Sequence, residues 1–324
     1  MKNSKIISIA PMMDWTDSHC RYFMRLLNPD ILLYSEMITA EALLHGSAKK
    51  YLHFNNQEHP VALQLGGSNP YKLKQSAILA EQEGYDEINL NIGCPSERVQ
   101  KGSFGACLME DPNLVADCVD AMINAVDIPI SVKTRIGIDD YDSYEFLYNF
   151  IKIVSETGCS RFIIHARKAI LSGLSPKENR SIPPLNYDRV YRIKSDFKHL
   201  HITLNGGIKN LDDCKKNLNI LDGVMIGRHA YHQPWFLHEL KLLDESAKYD
   251  QLKREDVIEL MYPYIQDQLN QGNHLKYITR HMLGLYKNQP GARSWRRYLS
   301  THAHNSDAGI EVLQNALKIL PKAA

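Results

Sequence analysis

The residues with the most evident chemistry lie in Asn91-Ile92-Gly93-Cys94-Pro95-Ser96, where a thiol follows an apolar run and sits between glycine and proline. Gly93 and Pro95 force a sharp local turn, which predicts a thiol pointing outward just past a strand. Unpaired cysteines are more often small buried hydrophobes, and Cys20, Cys118, Cys159 and Cys214 read that way. At a strand end the chemical reading prevails: with an ordinary pKa near about 8.5, a thiol is largely protonated at neutral pH and can serve as a general acid. Downstream, Lys101-Gly102-Ser103-Phe104-Gly105-Ala106 carries two glycines that suit either a mobile loop over Cys94 or a plain surface connection.

Lys133 is the second such residue. It ends an otherwise apolar strand, where an uncompensated ammonium is costly, so an anion is its natural partner. Three partners compete: a reduced flavin, anionic near N1 and O2; a salt bridge with Glu36; and a Schiff-base substrate. Gln64 and Asn205 favour the flavin, because amides can bond the polar edge of its ring. His165 suits the same site or a satisfied core position. Gly206, Gly207 and Gly227 leave backbone N–H groups open to phosphate oxygens, and Arg228 adds a bidentate contact. Tight turns are the plainer reading of those glycines.

Elements that could bring these residues together are visible as short β-rich runs: Ile6 to Ala10, Ile31 to Ser35, Val61 to Leu65, Glu87 to Asn91, Pro129 to Thr134, Phe162 to His165, His201 to Asn205 and Val224 to Gly227. Amphipathic stretches separate them, such as Lys72 to Gln82 and Pro112 to Ala125. Eight strands alternating with helices in about 240 residues predict an α/β fold, the (β/α)8 TIM barrel, with catalytic groups at the C-terminal ends of the strands. The polar residues listed above end those runs, as do Pro11-Met12-Met13 and Glu36. Beyond residue 238 the strand signal stops, and four helices are expected at roughly 255 to 271, 274 to 287, 292 to 303 and 307 to 320. The predicted organisation is a barrel over 1–240 and a C-terminal all-α helical domain over 241–324.

The chain of 324 residues is 44% hydrophobic, enough for a large core, and its formal charge is +1. Six cysteines without a CxxC pair, and no Cys/His metal spacing, predict a reduced cytoplasmic protein without metal. No stretch approaches the roughly 18 apolar residues of a membrane span, the N-terminus MKNSKIISIAPMMDW lacks a signal-length apolar run, and no protein partner is evident. The near-neutral total conceals a basic segment: between Asp267 and Asp307 there is no carboxylate, but there are Lys276, Arg280, Lys287, Arg293, Arg296 and Arg297. Tyr277, Tyr286, Trp295 and Tyr298 are interleaved with them, a mixture suited to phosphate contact and base stacking; a solvated helix face is the bland alternative.

Taken together, APMMDWTD, NLNIGCPSERVQKGSFGACLM, SVKTRIG, NGG and IGR resemble the tRNA-dihydrouridine synthase family over essentially the whole chain. The cysteine-centred motif is specific; NGG and GR are shared with other flavin barrels. The stretch from His165-Ala166-Arg167 through Lys177-Glu178-Asn179-Arg180 to Pro183-Pro184-Leu185 resembles the A-type bacterial branch. The resemblance implies reduction of the C5–C6 double bond of uridines 20 and 20a in the tRNA D-loop. It implies FMN held by Pro11, Met12, Met13, Gln64, Lys133, His165, Asn205, Gly206, Gly207, Gly227 and Arg228. It also implies NADPH as reductant, hydride from the flavin N5 to C6, and protonation of C5 by Cys94. Asn91 would help hold the base, and Lys177, Arg180, Arg293 and Arg296 would contact tRNA. The target nucleotide would have to be extruded from the folded RNA. Two other functions stay open: an FMN barrel reductase of small unsaturated substrates, and an inactive tRNA-binding protein.

Overall fold

The computed structural model describes residues 5–243 and 251–321; of the N-terminal segment, residues 1–4 lie outside that range. The chain divides into two compact units, Met1–Met13 with Ile31–Gly227, and Asp14–Asp30 with Arg228–Ala324.

The first unit is the expected barrel. Its strands are β1 (Ile6–Ile9), β2 (Leu33–Thr39), β3 (Val61–Gly66), β4 (Glu87–Ile92), β5 (Ile130–Arg135), β6 (Arg161–His165), β7 (His201–Asn205) and β8 (Gly223–Ile226). All neighbours pair parallel, in the order β1-β8-β7-β6-β5-β4-β3-β2. The remaining gap closes ahead of β2, where Leu32 N–H donates to the Ile7 carbonyl at 3.0 Å and its own carbonyl accepts Ile9 N–H at 2.9 Å.

Helices between the strands start and stop where local chemistry dictates. Asn69 Oδ1 accepts the Lys72 N–H at 3.0 Å to cap Pro70–Glu83, which ends at Gly84 with φ of +99°. Asp111 caps Pro112–Ile123 in the same way. The strands obey period two. On β4, Ile88, Leu90 and Ile92 are fully buried, each contributing about 1.5–3 kcal/mol relative to exposure. The alternate residues Glu87, Asn89 and Asn91 are also buried, but hydrogen-bonded to β3 and β5 side chains. An apolar cluster of Ala10, Tyr34, Ala62, Ile163 and Met225 packs within this unit.

The sequence places the end of β2 at Ser35, whereas the strand continues to Thr39. Its pairing with β3 shifts between Tyr34 and Met37, and there Ser35 Oγ accepts the Gln64 N–H at 3.0 Å. A side-chain oxygen thus fills a backbone vacancy at a bulge, which interrupts the alternation that marks a strand in sequence. Glu36 consequently lies inside β2 and does not end it.

The second unit joins Asp14–Asp30 to the C-terminal helices, a grouping the sequence does not announce. Helix Ser18–Leu27 is capped by Asp17, whose carboxylate also pairs with Arg280 and His281. Tyr22 stacks on Tyr264 at 3.9 Å, and Asn28 Nδ2 donates to the Leu237 carbonyl at 2.8 Å. The helices Arg254–Asn270, Ala292–His302 and Glu311–Lys318 fall where expected. The helix expected over 274 to 287 is Leu275–Thr279, followed by tight turns. Within those turns Gly284 allows a close approach to His232, because a Cβ there would lie 2.6 Å from the His232 carbonyl oxygen. The face expected to pack does so: Leu275, Ile278, Met282 and Leu285 are all buried. Among the described residues no helix is long and apolar enough to cross a membrane.

Candidate active site at the barrel mouth

Cys94 stands just past β4, half-buried, with Sγ 3.5 Å from Ser96 Oγ. Its turn is built by Asn91, whose Oδ1 accepts the N–H groups of Gly93 at 3.0 Å and Cys94 at 2.5 Å. From the other side, Ala106 N–H donates to the Cys94 carbonyl at 2.9 Å. Gly105 permits that approach: its φ is +80°, and a Cβ would lie 2.5 Å from the Cys94 oxygen. The remaining cysteines behave otherwise. Cys20 is fully buried, and burial pushes the thiols of Cys118, Cys159 and Cys214 up to about 12. Cys107 donates to the Phe104 carbonyl, and its pKa is raised by burial.

Arg135, the last residue of β5, ties the Cys94 turn to the loop after β6. Its guanidinium donates to the carbonyls of Gly93 at 2.8 Å, Lys168 at 3.2 Å and Asn179 at 2.9 Å. Burial, opposed by the nearby Cys94, brings its pKa down to about 10. Two residues earlier, Lys133 donates to Asn205 Oδ1 at 3.0 Å, and Asn205 Nδ2 donates to the Met225 carbonyl. Burial first, then the neighbouring Arg135, bring Lys133 down to about 7; Cys94 partly opposes this. An anion here would restore the ammonium.

His165 ends β6 and is buried against Gly206, where a Cβ would lie 2.5 Å from the imidazole. Gly206 and Gly207 have φ of +105° and +81°, and Tyr187 donates to the Gly206 carbonyl at 2.8 Å. Glycine is required at both by the chain's own packing. Gly227 differs: a Cβ there would find its nearest neighbours at 3.7 and 3.9 Å, in Ala10 and Met12. Pro11 and Met12 are half-buried, and Met13 is exposed. Arg228 follows Gly227 in the chain and opens helix Arg228–His232 of the second unit. Gln64 is buried, with Nε2 donating to Asn89 Oδ1 and Oε1 accepting from Asn91.

Lys177 and Arg180 are exposed on the loop after β6. Asn179 between them is wholly buried, exchanging hydrogen bonds with the backbone of Ile170 at 2.7 and 2.8 Å. Arg293, Arg296 and Arg297 are exposed on Ala292–His302. The aromatics expected among the cations divide. Trp295 is fully buried and donates its indole N–H to the Met282 carbonyl, while Tyr286 is buried and donates to Glu255. Tyr277 remains exposed and Tyr298 half-buried. Apolar periodicity claims the large rings for packing, so the reading of Trp295 and Tyr286 as stacking platforms is corrected. Arg280 likewise pairs with Asp17, a partner far away in sequence.

Sequence reading did not single out Glu87, Asn89, Ser131 or Asn179. For the first three a signal existed: Glu87, Asn89 and Asn91 on β4, and Ser131, Lys133 and Arg135 on β5, are polar at every second position. Asn179 offers none, since its partners are backbone groups. Among the described residues, no three or more His, Cys, Asp or Glu gather as a metal site would require.

Residues 8–321 match the model of the dihydrouridine synthase family. A tRNA-dihydrouridine(20/20a) synthase of Vibrio parahaemolyticus is 59% identical over 325 residues, covering 99% of both chains. The protein of that name from Escherichia coli K12 is 59% identical over 314 residues, 97% of this chain and 91% of its own. That from Shewanella oneidensis is 58% identical over 312 residues, 96% and 93%.

Proposed function

The chain belongs to the dihydrouridine synthase family, and we propose that it reduces uridines 20 and 20a of tRNA to dihydrouridine, as the names of its relatives state for them. The observation that carries the proposal is the pairing of a thiol-bearing turn, whose backbone is held by Asn91 and Arg135, with a rim of Lys133, Asn205, His165 and paired glycines in the same barrel.

FMN suits that rim. Lys133 lies near Cys94 with a depressed pKa, as a cation awaiting an anion does. Gly227 lacks a Cβ that its own surroundings would tolerate, which fits a backbone approached by a phosphate. Gln64, Lys133, His165 and Asn205 would hold the polar edge of the ring. Gly206, Gly207, Gly227 and Arg228 would hold the phosphate, with Pro11, Met12 and Met13 beside the ring. When bound, FMN would supply hydride chemistry toward C6 of uracil, with NADPH as the reductant. Cys94 Sγ–H donates the proton to C5, which completes saturation of the double bond. Asn91 fixes the Cys94 turn through backbone N–H groups and would help orient the base. Residues 1–240 would form the catalytic domain and 241–324 the tRNA-binding domain, with Lys177, Arg180, Arg293 and Arg296 on phosphates, in the cytoplasm where tRNA is matured.

The test is NADPH oxidation by the flavin-loaded protein. Stimulation by unmodified tRNA but not by free uridine is expected. Equal stimulation by the nucleoside would point to a small-molecule reductase, and absence of flavin absorption to an inactive binding protein.

A further inference from the structure

Below the site runs a line of hydrogen bonds that all point the same way. The N–H of Cys94 donates to Asn91 Oδ1 at 2.5 Å, and Asn91 Nδ2 donates to Gln64 Oε1 at 2.8 Å. Gln64 Nε2 donates to Asn89 Oδ1 at 2.7 Å, and Asn89 Nδ2 donates to Ser131 Oγ at 2.8 Å. Ser131 Oγ donates to Glu87 Oε1 at 2.6 Å. Glu87 also accepts from Tyr34 at 2.7 Å and, on Oε2, from Arg161 at 2.9 Å. Every side chain from Asn91 to Glu87 in this chain of bonds is buried. Glu87 opens β4 and Asn91 lies four residues on, so the relay spans about 13 Å of the barrel at roughly 3.3 Å per residue.

Chemistry fixes the polarity at both ends. A backbone N–H can only donate, so Asn91 must turn its oxygen to Gly93 and Cys94. A carboxylate can only accept, so Ser131 must donate downward and its oxygen must receive Asn89. The amides between are consistent with both constraints and have one common orientation. We propose that Glu87, at the floor of the barrel, is a positioning residue for Cys94 at its mouth. Its negative charge sets the orientation of Asn89, Gln64 and Asn91 in turn, and so presents to the Cys94 turn an oxygen and not an NH2 group. The inference rests on the reading of Cys94 as the acid only for its catalytic consequence; the relay stands without it.

Glu87→Gln is the discriminating change. Arg161 donates to Oε2 and would keep the remaining oxygen, turning the new NH2 group toward Ser131 and Tyr34. Ser131 would then donate upward, and the amides would invert until Asn91 offered its NH2 group to two N–H donors, which breaks the turn. Flavin-loaded Glu87→Gln is expected to exchange the Gly93 and Cys94 amide hydrogens at least about tenfold faster than wild type, the size of one lost buried hydrogen bond. Turnover on saturating tRNA should fall by a similar factor even when flavin is supplied at saturation. Ser131→Ala should do the same, and Ser131→Thr, which keeps the hydroxyl, should restore wild-type exchange. In an Asn91→Ala background Glu87→Gln should cost no further turnover, whereas a general loss of stability would add its own. Unchanged exchange at both amides in Glu87→Gln and Ser131→Ala, or additive losses in the double variant, would overturn the relay. If Cys94→Ala keeps its turnover while exchange responds as expected, the acid role fails and the relay stands.

Discussion

Lys133 and Arg135 in the barrel unit, and Arg293, Arg296 and Arg297 in the helical unit, carry the same formal charge in contrasting surroundings. The barrel pair is largely enclosed and each member is held by named oxygens: Asn205 for Lys133, three backbone carbonyls for Arg135. The helical three are exposed on one short helix. Enclosure makes a cation expensive and exact in position, as the pKa of about 7 for Lys133 records. Exposure makes it cheap, screened and additive. The first arrangement suits a site where atoms must be placed; the second suits the phosphates of a large RNA, where many weak contacts sum.

The comparison can be broken or sharpened by substitution. The largest effect is expected at the proposed acid, which has Lys133 and Arg135 as neighbours: Cys94→Ala should lower turnover on tRNA by about 10²–10⁴-fold, the usual contribution of a general acid, with flavin absorption and tRNA affinity retained. Near-normal turnover would remove Cys94 from the chemistry. Next comes the cost of enclosure. A lysine with a depressed folded pKa destabilises the fold fully below about pH 7, and the penalty fades as pH rises toward the ordinary lysine value of 10.5. Lys133→Met should therefore stabilise the flavin-free protein by on the order of 2 kcal/mol at pH 7, less whatever the orphaned Asn205 costs. Urea unfolding at pH 7 and 9.5 should show the gain shrinking; a gain independent of pH would mean Lys133 is not strained.

A smaller effect belongs to the exposed cations. Arg293→Ala combined with Arg296→Ala should weaken tRNA binding and make its salt dependence shallower, by up to about 0.7–0.9 per lost phosphate contact, without changing flavin content. An unaltered salt slope would place both side chains off the RNA. The least change in stability is expected for Gly227→Ala, within about 0.5 kcal/mol in the flavin-free protein, since its Cβ would meet only ordinary contacts. Flavin affinity should nevertheless fall. If calorimetry finds it intact, Gly227 does not face a phosphate.

Much of the architecture is legible in the sequence. Eight β-rich runs alternating with amphipathic stretches carry the barrel, because period two and period 3.6 are local properties. The turn at Cys94 is legible because glycine and proline beside a cysteine at a strand end determine it. The end of β2 is not legible, because Ser35 substitutes for a backbone acceptor there and breaks the alternation. The surroundings of Trp295 and Tyr286 are not legible either, since an aromatic among arginines looks the same in sequence whether it faces solvent or a core.

By itself, then, the sequence determined the kind and order of the elements, the polar residues at their ends and the turn that carries Cys94, all matters of neighbours along the chain. Only the tertiary structure decided that Glu87, Ser131, Asn89, Gln64 and Asn91 form one polarised line, that Asp17 takes Arg280, and that Asp14–Asp30 joins the second unit. Those outcomes depend on strand register and on which groups are excluded from water together, which are set by residues far apart in the chain.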